Sequence, residues 1–346
     1  MKGFRYMGVV AALALALASA CAPPKAYIDY TMSEAIIWPG PPEKPRIKYL
    51  WNIQMVRGAE GGGRFMRLLA GDVDYDIEDP RNADHIVSPQ GVFVDKNDVL
   101  YIADPGAARV NVINLKTNGS FVIDAVGNGS LLSPIGVAAG PDGRIYVSDS
   151  DLRQVAIFSR KGKFLKFFEG GFKRPTGIAV SPSGGIYVVD TWAHKIYMHD
   201  LEGRRTGSFG IEGDAPGQMN YPTYIAVDKE GLIYLSDTLN FRIQIFTQSG
   251  KLLHAFGLIG DSFGTFDKIK GIAVDTEGHI YVVDSAKDMV MIYDRQGRLL
   301  LFFGREGSFY GDFRLPTGIH IDGRDRIFVS DAFNMRVQAF QFLGGD

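Results

Sequence analysis

The sequence predicts an all-β fold, a six-bladed β-propeller built from four-stranded antiparallel blades. Six times, the residue that opens an apolar segment is followed thirteen positions later by an aspartate. These pairs are Gly91/Asp104, Gly136/Asp149, Gly177/Asp190, Tyr224/Asp237, Gly271/Asp284 and Gly318/Asp331. Successive aspartates lie 45, 41, 47, 47 and 47 residues apart. A period in the forties, filled with short apolar alternations and glycine turns, is typical of propeller blades.

Each repeat has room for four short strands, as the fourth repeat illustrates. A first strand at 224–227 leads to a tight turn, and a second strand ends at Asp237. A third strand at 242–246 and a fourth at 252–257 follow, with Gly250 in the turn between them. The first turn needs a residue that tolerates positive φ, which glycine does freely and aspartate does better than most. The residues at this turn are Asp98, Gly143, Gly184, Gly231, Gly278 and Asp325.

The sixth repeat lacks a fourth strand, because the chain ends at Asp346, soon after the equivalent turn glycine, Gly344. An unmatched strand, Ile-Lys-Tyr-Leu-Trp-Asn-Ile at 47–53, precedes the first repeat. An unpaired strand edge is a liability that ring closure removes. We therefore expect 47–53 to complete the last blade and join the two ends of the domain.

Residues 1–20 are predicted to be a lipoprotein signal peptide. Lys2 and Arg5 precede an apolar segment, 7–18, that is too short to span a bilayer. Cys21 is the only cysteine in the chain and is predicted to be lipidated, since one thiol cannot form an internal disulfide. The alternative is ordinary secretion with an incidental free cysteine.

The remainder divides into a tether and one domain. The proline-rich segment 21–45 is expected to be a lipid-anchored tether that holds the domain off the membrane. Residues 46–346 are expected to form a single propeller domain and to be a monomer, with an irregular insertion at 57–88 that is either functional or disordered. The formal net charge of −2 gives no overall field that would recruit nucleic acid.

The segments Pro-Thr-Gly-Ile-Ala-Val at 175–180 and Asp-Thr-Leu-Asn-Phe-Arg-Ile-Gln-Ile-Phe at 237–246 resemble NHL repeats, a resemblance that covers nearly all of 88–343. With its signal and tether, the chain is similar to bacterial NHL-repeat lipoproteins, and Ala22 after the cysteine resembles the outer-membrane sorting signal. The resemblance implies a six-bladed platform for proteins, RNA or small ligands. Some relatives, the peptidyl-hydroxyglycine amidating lyases, are metal-dependent enzymes, so catalysis stays open as an alternative.

Few residues indicate a reaction. The six aspartates could form a ring of carboxylates, but their recurrence in every blade favours a structural role in capping turns. The six histidines show no metal-ligand spacing on one element, and His320, expected near the channel, is interpreted as a core histidine. No nucleophile elbow, phosphate loop, dinucleotide fingerprint or haem-attachment motif is present. We expect no cofactor.

The connections that enter the first strands and leave the second strands are the most promising surface. The residue before each strand opener should rim the channel, and this position varies in chemistry while its frame does not, as recognition positions do. Aromatic residues in the loops after the aspartates suit partner binding, although packing over neighbouring blades is the alternative. The rim also includes Ile135, and the candidate binding residues are Gln90, Thr176, Trp192, His194, Thr223, Tyr224, Phe241, Lys270, Thr317 and Phe333.

These observations favour a non-catalytic binding or scaffold propeller that engages an envelope protein, a peptide or a small ligand at the channel face. The alternative is a metal-dependent lyase or hydrolase with its centre in the channel.

Overall fold

The computed structural model describes residues 24–30, 35–56 and 84–344. The predicted signal peptide, the lipidation site Cys21 and most of the insertion at 57–88 lie outside these residues. Within the described part of the chain, no helix has the length and apolar character needed to span a membrane.

The described residues form six antiparallel four-stranded sheets, together with additional N-terminal strands. The N-terminal strands are β1 (Tyr27–Asp29), β2 (Ile37–Trp38) and β3 (Ile47–Met55). Blade 1 contains β4 (Val92–Val94), β5 (Val99–Asp104), β6 (Arg109–Asn114) and β7 (Ser120–Ile123). A small hairpin, β8 (Ala125–Val126) and β9 (Gly129–Ser130), precedes blade 2, which contains β10 (Pro134–Ala139), β11 (Ile145–Asp149), β12 (Gln154–Phe158) and β13 (Phe164–Phe167).

The other blades repeat this order. Blade 3 contains β14 (Pro175–Val180), β15 (Ile186–Asp190), β16 (Lys195–His199) and β17 (Arg205–Phe209). Blade 4 contains β18 (Ile225–Val227), β19 (Ile233–Asp237), β20 (Arg242–Phe246) and β21 (Leu252–Phe256). Blade 5 contains β22 (Ile269–Val274), β23 (Ile280–Asp284), β24 (Met289–Tyr293) and β25 (Leu299–Phe303), and blade 6 contains β26 (Pro316–Ile321), β27 (Arg326–Asp331) and β28 (Arg336–Phe342). Short 3-10 helices at Pro105–Ala107, Thr191–Ala193 and Thr238–Asn240 follow the second strands of blades 1, 3 and 4.

Strand β3 closes the ring, as the sequence predicts. It pairs antiparallel with β28, with Ile53 opposite Val337 and Ile47 opposite Phe342. Ile47 and Ile53 are fully buried, so the strand contributes to the core as well as to the ladder. Blade 6 therefore combines three strands from the end of the chain with one from its beginning.

The segment predicted to be a tether differs from that expectation where the structure describes it. β1 pairs with β3 through Ile28 and Ile53, and β2 pairs with β3 through Ile37 and Lys48. Trp38 packs against Phe303 and Phe340, with ring centroids 5.7 and 5.8 Å apart. The physical reason is that β3, as an outer strand, still has one free edge, and the apolar residues of this segment cover it. The proline content concealed these short strands.

The N-terminal end of the described chain lies at the turn between β6 and β7 of blade 1. The Ser120 backbone N–H donates to the Pro24 carbonyl at 2.8 Å, and Lys25 forms a bridge with Gly119. This turn lies at the opposite end of the blade from the loop that follows Asp104. The loops that follow the six repeat aspartates form one face of the propeller. Pro24 therefore lies on the opposite face.

The turns and the inter-blade core also match the repeat. Asp98 and Asp325 have φ values of 63° and 57° at the positions where four other blades carry glycine. The aromatic residues of the second strands are buried between blades: Tyr101, Tyr146, Tyr187, Tyr234, Tyr281 and Phe328. Burial raises the pKa of Tyr101 to about 12, since the phenolate would lose its hydration.

Candidate functional site

The six aspartates fasten the loop that leads into each first strand. Asp149 accepts the Leu132 N–H at 2.8 Å, and Asp190 accepts the Lys173 N–H at 2.7 Å, seventeen residues earlier in both cases. The same contact recurs at Asp104, Asp237, Asp284 and Asp331. A buried carboxylate that satisfies backbone donors in this way is part of the scaffold. In the described ranges, no group of three or more His, Cys, Asp or Glu side chains is placed to hold a metal ion.

The first strands surround a narrow axial channel of about 130 Å³. They approach one another so closely that five of the six strand openers are glycine. A Cβ on Gly177, for example, would lie 2.7 Å from the Thr223 carbonyl oxygen of the next blade, inside van der Waals contact. The close approach at the axis therefore requires glycine at this position.

Tyr224 occupies the sixth of these positions and lies across the end of the channel. Its hydroxyl donates to the Gln90 side-chain oxygen at 3.3 Å, from blade 4 to blade 1 on the other side of the ring. Tyr224 is buried, and this burial raises the pKa of its hydroxyl above the ordinary value. It lines both the channel and a second cavity beyond it, so its side chain lies between the two spaces.

This second cavity, which we call the mouth cavity, has a volume of about 340 Å³. It opens on the face formed by the loops after the second strands and before the first strands. Five of the six predicted rim positions line it. Its lining is Gln90, Ile135, Arg174, Thr176, Thr191, Trp192, Tyr221, Thr223, Tyr224, Thr238, Leu239, Asp267, Lys268 and Lys270.

Paired threonines build one wall of the mouth cavity. The hydroxyls of Thr176 and Thr191 lie 2.8 Å apart, and the Thr191 hydroxyl donates to the Pro222 carbonyl of the next blade. Thr223 and Thr238 repeat the pair at 2.7 Å. These hydroxyls hold adjacent blades together, so the wall is rigid and its donors already have partners.

Three basic side chains, Arg174, Lys268 and Lys270, also line the mouth cavity. Lys270 takes the place that threonine occupies in the two preceding blades, and Lys268 and Arg174 lie beside it. Burial, followed by repulsion from Lys268 and then Arg174, lowers the pKa of the Lys270 ammonium group. Arg174 lies over the Trp192 ring, 5.2 Å from its centroid.

The structure brings together six of the ten candidate residues and separates four. Gln90, Thr176, Trp192, Thr223, Tyr224 and Lys270 line the mouth cavity. Thr317 lies outside it, and its buried hydroxyl donates to the Pro89 carbonyl of blade 1 at 2.9 Å. Phe333 is exposed on the same face beneath Arg314, 4.3 Å from the ring centroid, but away from the cavity.

The other two separated candidates are packing residues. Phe241 packs against the hydrophobic cluster that includes Tyr224 and Phe266, as the alternative interpretation of the loop aromatics expects. His194 is buried, and its Nδ1 lies 3.3 Å from the Tyr221 N–H and 3.2 Å from the Met219 carbonyl. Its ring packs edge-on against Tyr221, so it supports a residue of the cavity rim rather than facing a ligand.

Sequence reasoning missed Arg174, Lys268, Tyr221 and the second threonine of each pair. Arg174 and Lys268 each lie two residues before a predicted rim residue, and Thr191 and Thr238 each lie fifteen residues after one. The repeat register contained this signal, because equivalent positions of successive blades face the same space.

His320 lines the channel below Tyr224, and its contacts are those of a core histidine. Its ring lies 4.5 Å from that of Phe93, and its Nε2 is 3.2 Å from the Val94 carbonyl oxygen. Burial lowers its pKa to about 4, so the ring is neutral at neutral pH.

The closed ring, the capping aspartates and the glycine-lined axis define a six-bladed β-propeller. Comparison of the sequence with known protein families agrees with this fold. Residues 172–196 match the NHL repeat, and residues 221–301 match a family described as a 6-bladed beta-propeller. The chain is thus a six-bladed β-propeller that contains an NHL repeat. No curated protein sequence is significantly similar to it.

Solved structures with the same fold differ widely in role. An auxiliary nutrient binding protein from Bacteroides thetaiotaomicron aligns with a TM-score of 0.61 at 14% identity, covering 76% of this chain and 71% of that one. A streptogramin B lyase aligns at 0.57 and 13% identity, covering 74% and 94%. Virginiamycin B lyase from Staphylococcus aureus aligns at 0.56 and 15% identity, covering 74% and 96%. At these identities the likeness shows the fold alone.

Proposed function

We propose that this chain is a non-catalytic binding protein of the bacterial envelope, held to the outer membrane by a lipid on Cys21, that binds its ligand in the mouth cavity. The observation that carries the proposal is the position of Tyr224. Because this side chain ends the channel, the mouth cavity is a blind pocket rather than one opening of a pore. Blind, mostly apolar pockets of a few hundred Å³ with a few placed polar groups are typical ligand sites.

The lining supports recognition rather than scaffolding alone. The rim residues Gln90, Ile135, Thr176, Thr223 and Lys270 differ in chemistry, although the blades that hold them share one backbone frame. Variable side chains on a rigid frame are the usual arrangement of a binding surface. The frame itself is fixed by the threonine pairs.

The border of the cavity supports contact with a ligand that extends beyond it. Trp192, Tyr221 and Leu239 are each nearly half exposed at the cavity edge. Exposed aromatic and aliphatic side chains around a pocket favour binding of an apolar group. A peptide, a protein loop or a small ligand could supply that group.

Filling the cavity tests this function. Ile135→Trp places a large ring in the pocket, and Ile211→Trp places the same ring at an exposed position outside it. We expect ligand-observed NMR with mixtures of small molecules and peptides from envelope extracts to reveal compounds that bind the wild type and Ile211→Trp but not Ile135→Trp. Equal binding to both variants, or no binding compound at all, would refute the assignment.

The metal-dependent lyase or hydrolase implied by the family resemblance is tested separately. Purified protein is analysed for bound metal and then assayed for turnover with and without chelator. A stoichiometric zinc or calcium ion whose removal abolishes a measurable turnover would replace the binding function with an enzymatic one.

A further inference from the structure

We propose that the mouth cavity binds a carboxylate carried on an apolar body, and that Lys270 is the residue that pairs with its charge. This inference rests on the proposed function and adds the chemical class of the ligand.

Lys270 is the one charged residue among the six equivalent rim positions. Its counterparts Thr176 and Thr223 bind their neighbours through their hydroxyls. The Lys270 side chain, in contrast, makes no ion pair with any carboxylate of the described residues. Lys270 is half-buried. A half-buried ammonium group without a counter-ion is unfavourable, and an anionic ligand relieves that cost.

The charges nearest to Lys270 strengthen this preference for an anion. Lys268 and Arg174 are the two side chains whose charges act on Lys270, and both are positive. Neither forms an ion pair with a described carboxylate. Asp267 lines the cavity as well, but it lies beyond ion-pair distance of these cations. A concave site with low-dielectric walls and an excess of one charge concentrates ions of the opposite sign.

The rest of the lining selects an apolar body for the acid. Ile135 and Leu239 present aliphatic groups, and Trp192 and Tyr221 present aromatic rings. Arg174 lies over Trp192, so its guanidinium is already held beside an aromatic face. A ligand with one acidic group next to Lys270 and an apolar or aromatic body against the rim would contact both the basic and the apolar residues of the cavity.

The first experiment compares phenylacetate with phenylacetamide, which have the same body and differ in charge. Titration calorimetry at pH 7 and constant ionic strength on the intact chain should show phenylacetate binding roughly tenfold or more tightly, as expected for a charge-assisted contact. Binding of both probes with equal affinity, or of neither, would overturn the proposal.

Variants assign the preference to Lys270. Lys270→Thr restores the residue of three equivalent blades, and Lys270→Met keeps the length of the side chain without its charge. Lys161→Thr removes a lysine from an exposed turn on the opposite face and is the charge-matched control. We expect the preference for phenylacetate to disappear in both Lys270 variants and to persist in Lys161→Thr. A preference that survives in a folded Lys270 variant would refute the role of this residue.

A readout in the wild type needs no variant. After reductive 13C-methylation of the lysines, phenylacetate should raise the pKa of the Lys270 signal, and phenylacetamide should leave it unchanged. No change in that signal during saturating titration would contradict direct pairing.

The same chemistry can come from a free acid or from the end of a peptide. The tetrapeptide Ala-Ala-Ala-Phe with a free carboxylate is therefore compared with its C-terminal amide. Tighter binding of the free-acid peptide than of phenylacetate identifies a chain end as the source, and the reverse order identifies a small acid. If neither pair discriminates while Ile135→Trp still abolishes binding of extract compounds, the ligand class is wrong and the binding site stands.

Discussion

The Tyr224 hydroxyl and the Gln90 side-chain oxygen form a hydrogen bond of 3.3 Å between blades 4 and 1, which face each other across the ring. Most contacts in a propeller join neighbouring blades. This one spans the axis and replaces an open passage with the floor of a cavity. The functional proposals above depend on it.

The variants Tyr224→Phe and Tyr224→Gly distinguish the contribution of the Tyr224 hydroxyl to stability from that of its ring. Tyr224→Phe should lower the free energy of unfolding by about 1 kcal/mol, the usual value for one hydrogen bond. Tyr224→Gly, which restores the residue of the other five blades, should lower it by about 3–5 kcal/mol because a buried aromatic side chain is lost. Urea unfolding measures both. A glycine variant as stable as the wild type would show that the ring adds no packing energy.

The edge-covering strands should stabilise the fold, whereas a simple tether would not. Trp38→Ala removes an indole that packs on Phe303 and Phe340, and we expect a loss of about 3 kcal/mol. Tyr27→Ala, at an exposed site of β1, is the control and should change stability by about 0.5 kcal/mol or less. Thermal unfolding distinguishes the two, and equal melting temperatures for all three proteins would contradict the packing role of the segment.

Two histidines, the buried His199 and the half-buried His320 of the channel, should make the protein less stable in mild acid. Burial lowers the pKa of His199 and of His320 to about 4, below the ordinary value of 6.5. Between these pH values the unfolded chain binds more protons than the folded one, so stability is full above pH 6.5 and falls as the pH drops towards 4. Each histidine should contribute a slope of up to about 1.4 kcal/mol per pH unit.

His199→Phe tests this assignment, because phenylalanine occupies the equivalent position, Phe158 or Phe246, in blades 2 and 4. The variant should show a shallower loss of stability in urea unfolding between pH 7 and pH 5. His254→Phe, on an exposed strand, is the matched control and should retain the full slope. An unchanged slope in His199→Phe would assign the pH dependence to other groups.

Arg336 should be among the least replaceable charged residues. It is buried, pairs with Asp331 at 2.7 Å and donates to the Ser308, Phe309 and Asp312 carbonyls. Arg336→Met should cost about 3–5 kcal/mol, since it removes the cation that pairs with a buried carboxylate and a donor to three carbonyls. Arg204→Met breaks a solvent-screened, exposed pair with Asp200 and should leave stability nearly unchanged. Similar losses in the two variants, measured by urea unfolding, would contradict this difference.

The repeat register predicted the parts of the molecule that depend on local pattern. The thirteen-residue spacing of Gly177 and Asp190 predicted the position of a blade. The unmatched strand at 47–53 predicted how the ring closes. Contacts that the pattern does not encode were missed. The pairing of Ile28 with Ile53 joins an irregular segment to a strand edge, and no periodicity marks it.

The mouth cavity was predicted in part. Lys270 and Thr223 were found because they share one repeat position, whereas Arg174 and Lys268 contribute from a position that was not considered. The contact of Tyr224 with Gln90 was also within reach, because repeats 1 and 4 of a six-fold ring lie opposite each other. Side-chain packing decided the remainder: Phe241 is half-buried against a hydrophobic cluster, and His194 is buried beside Tyr221.

The hydrogen bond between Ser120 and Pro24 has a consequence for how the molecule would stand on a bilayer. Pro24 lies three positions after Cys21, and such a link spans at most roughly 11 Å. An acyl group on Cys21 would therefore draw the pole that carries this bond down to the lipid headgroups. Lys270 and its neighbours would then face away from the bilayer. A diffusing acid would reach them directly from solvent, without passing between the protein and the membrane.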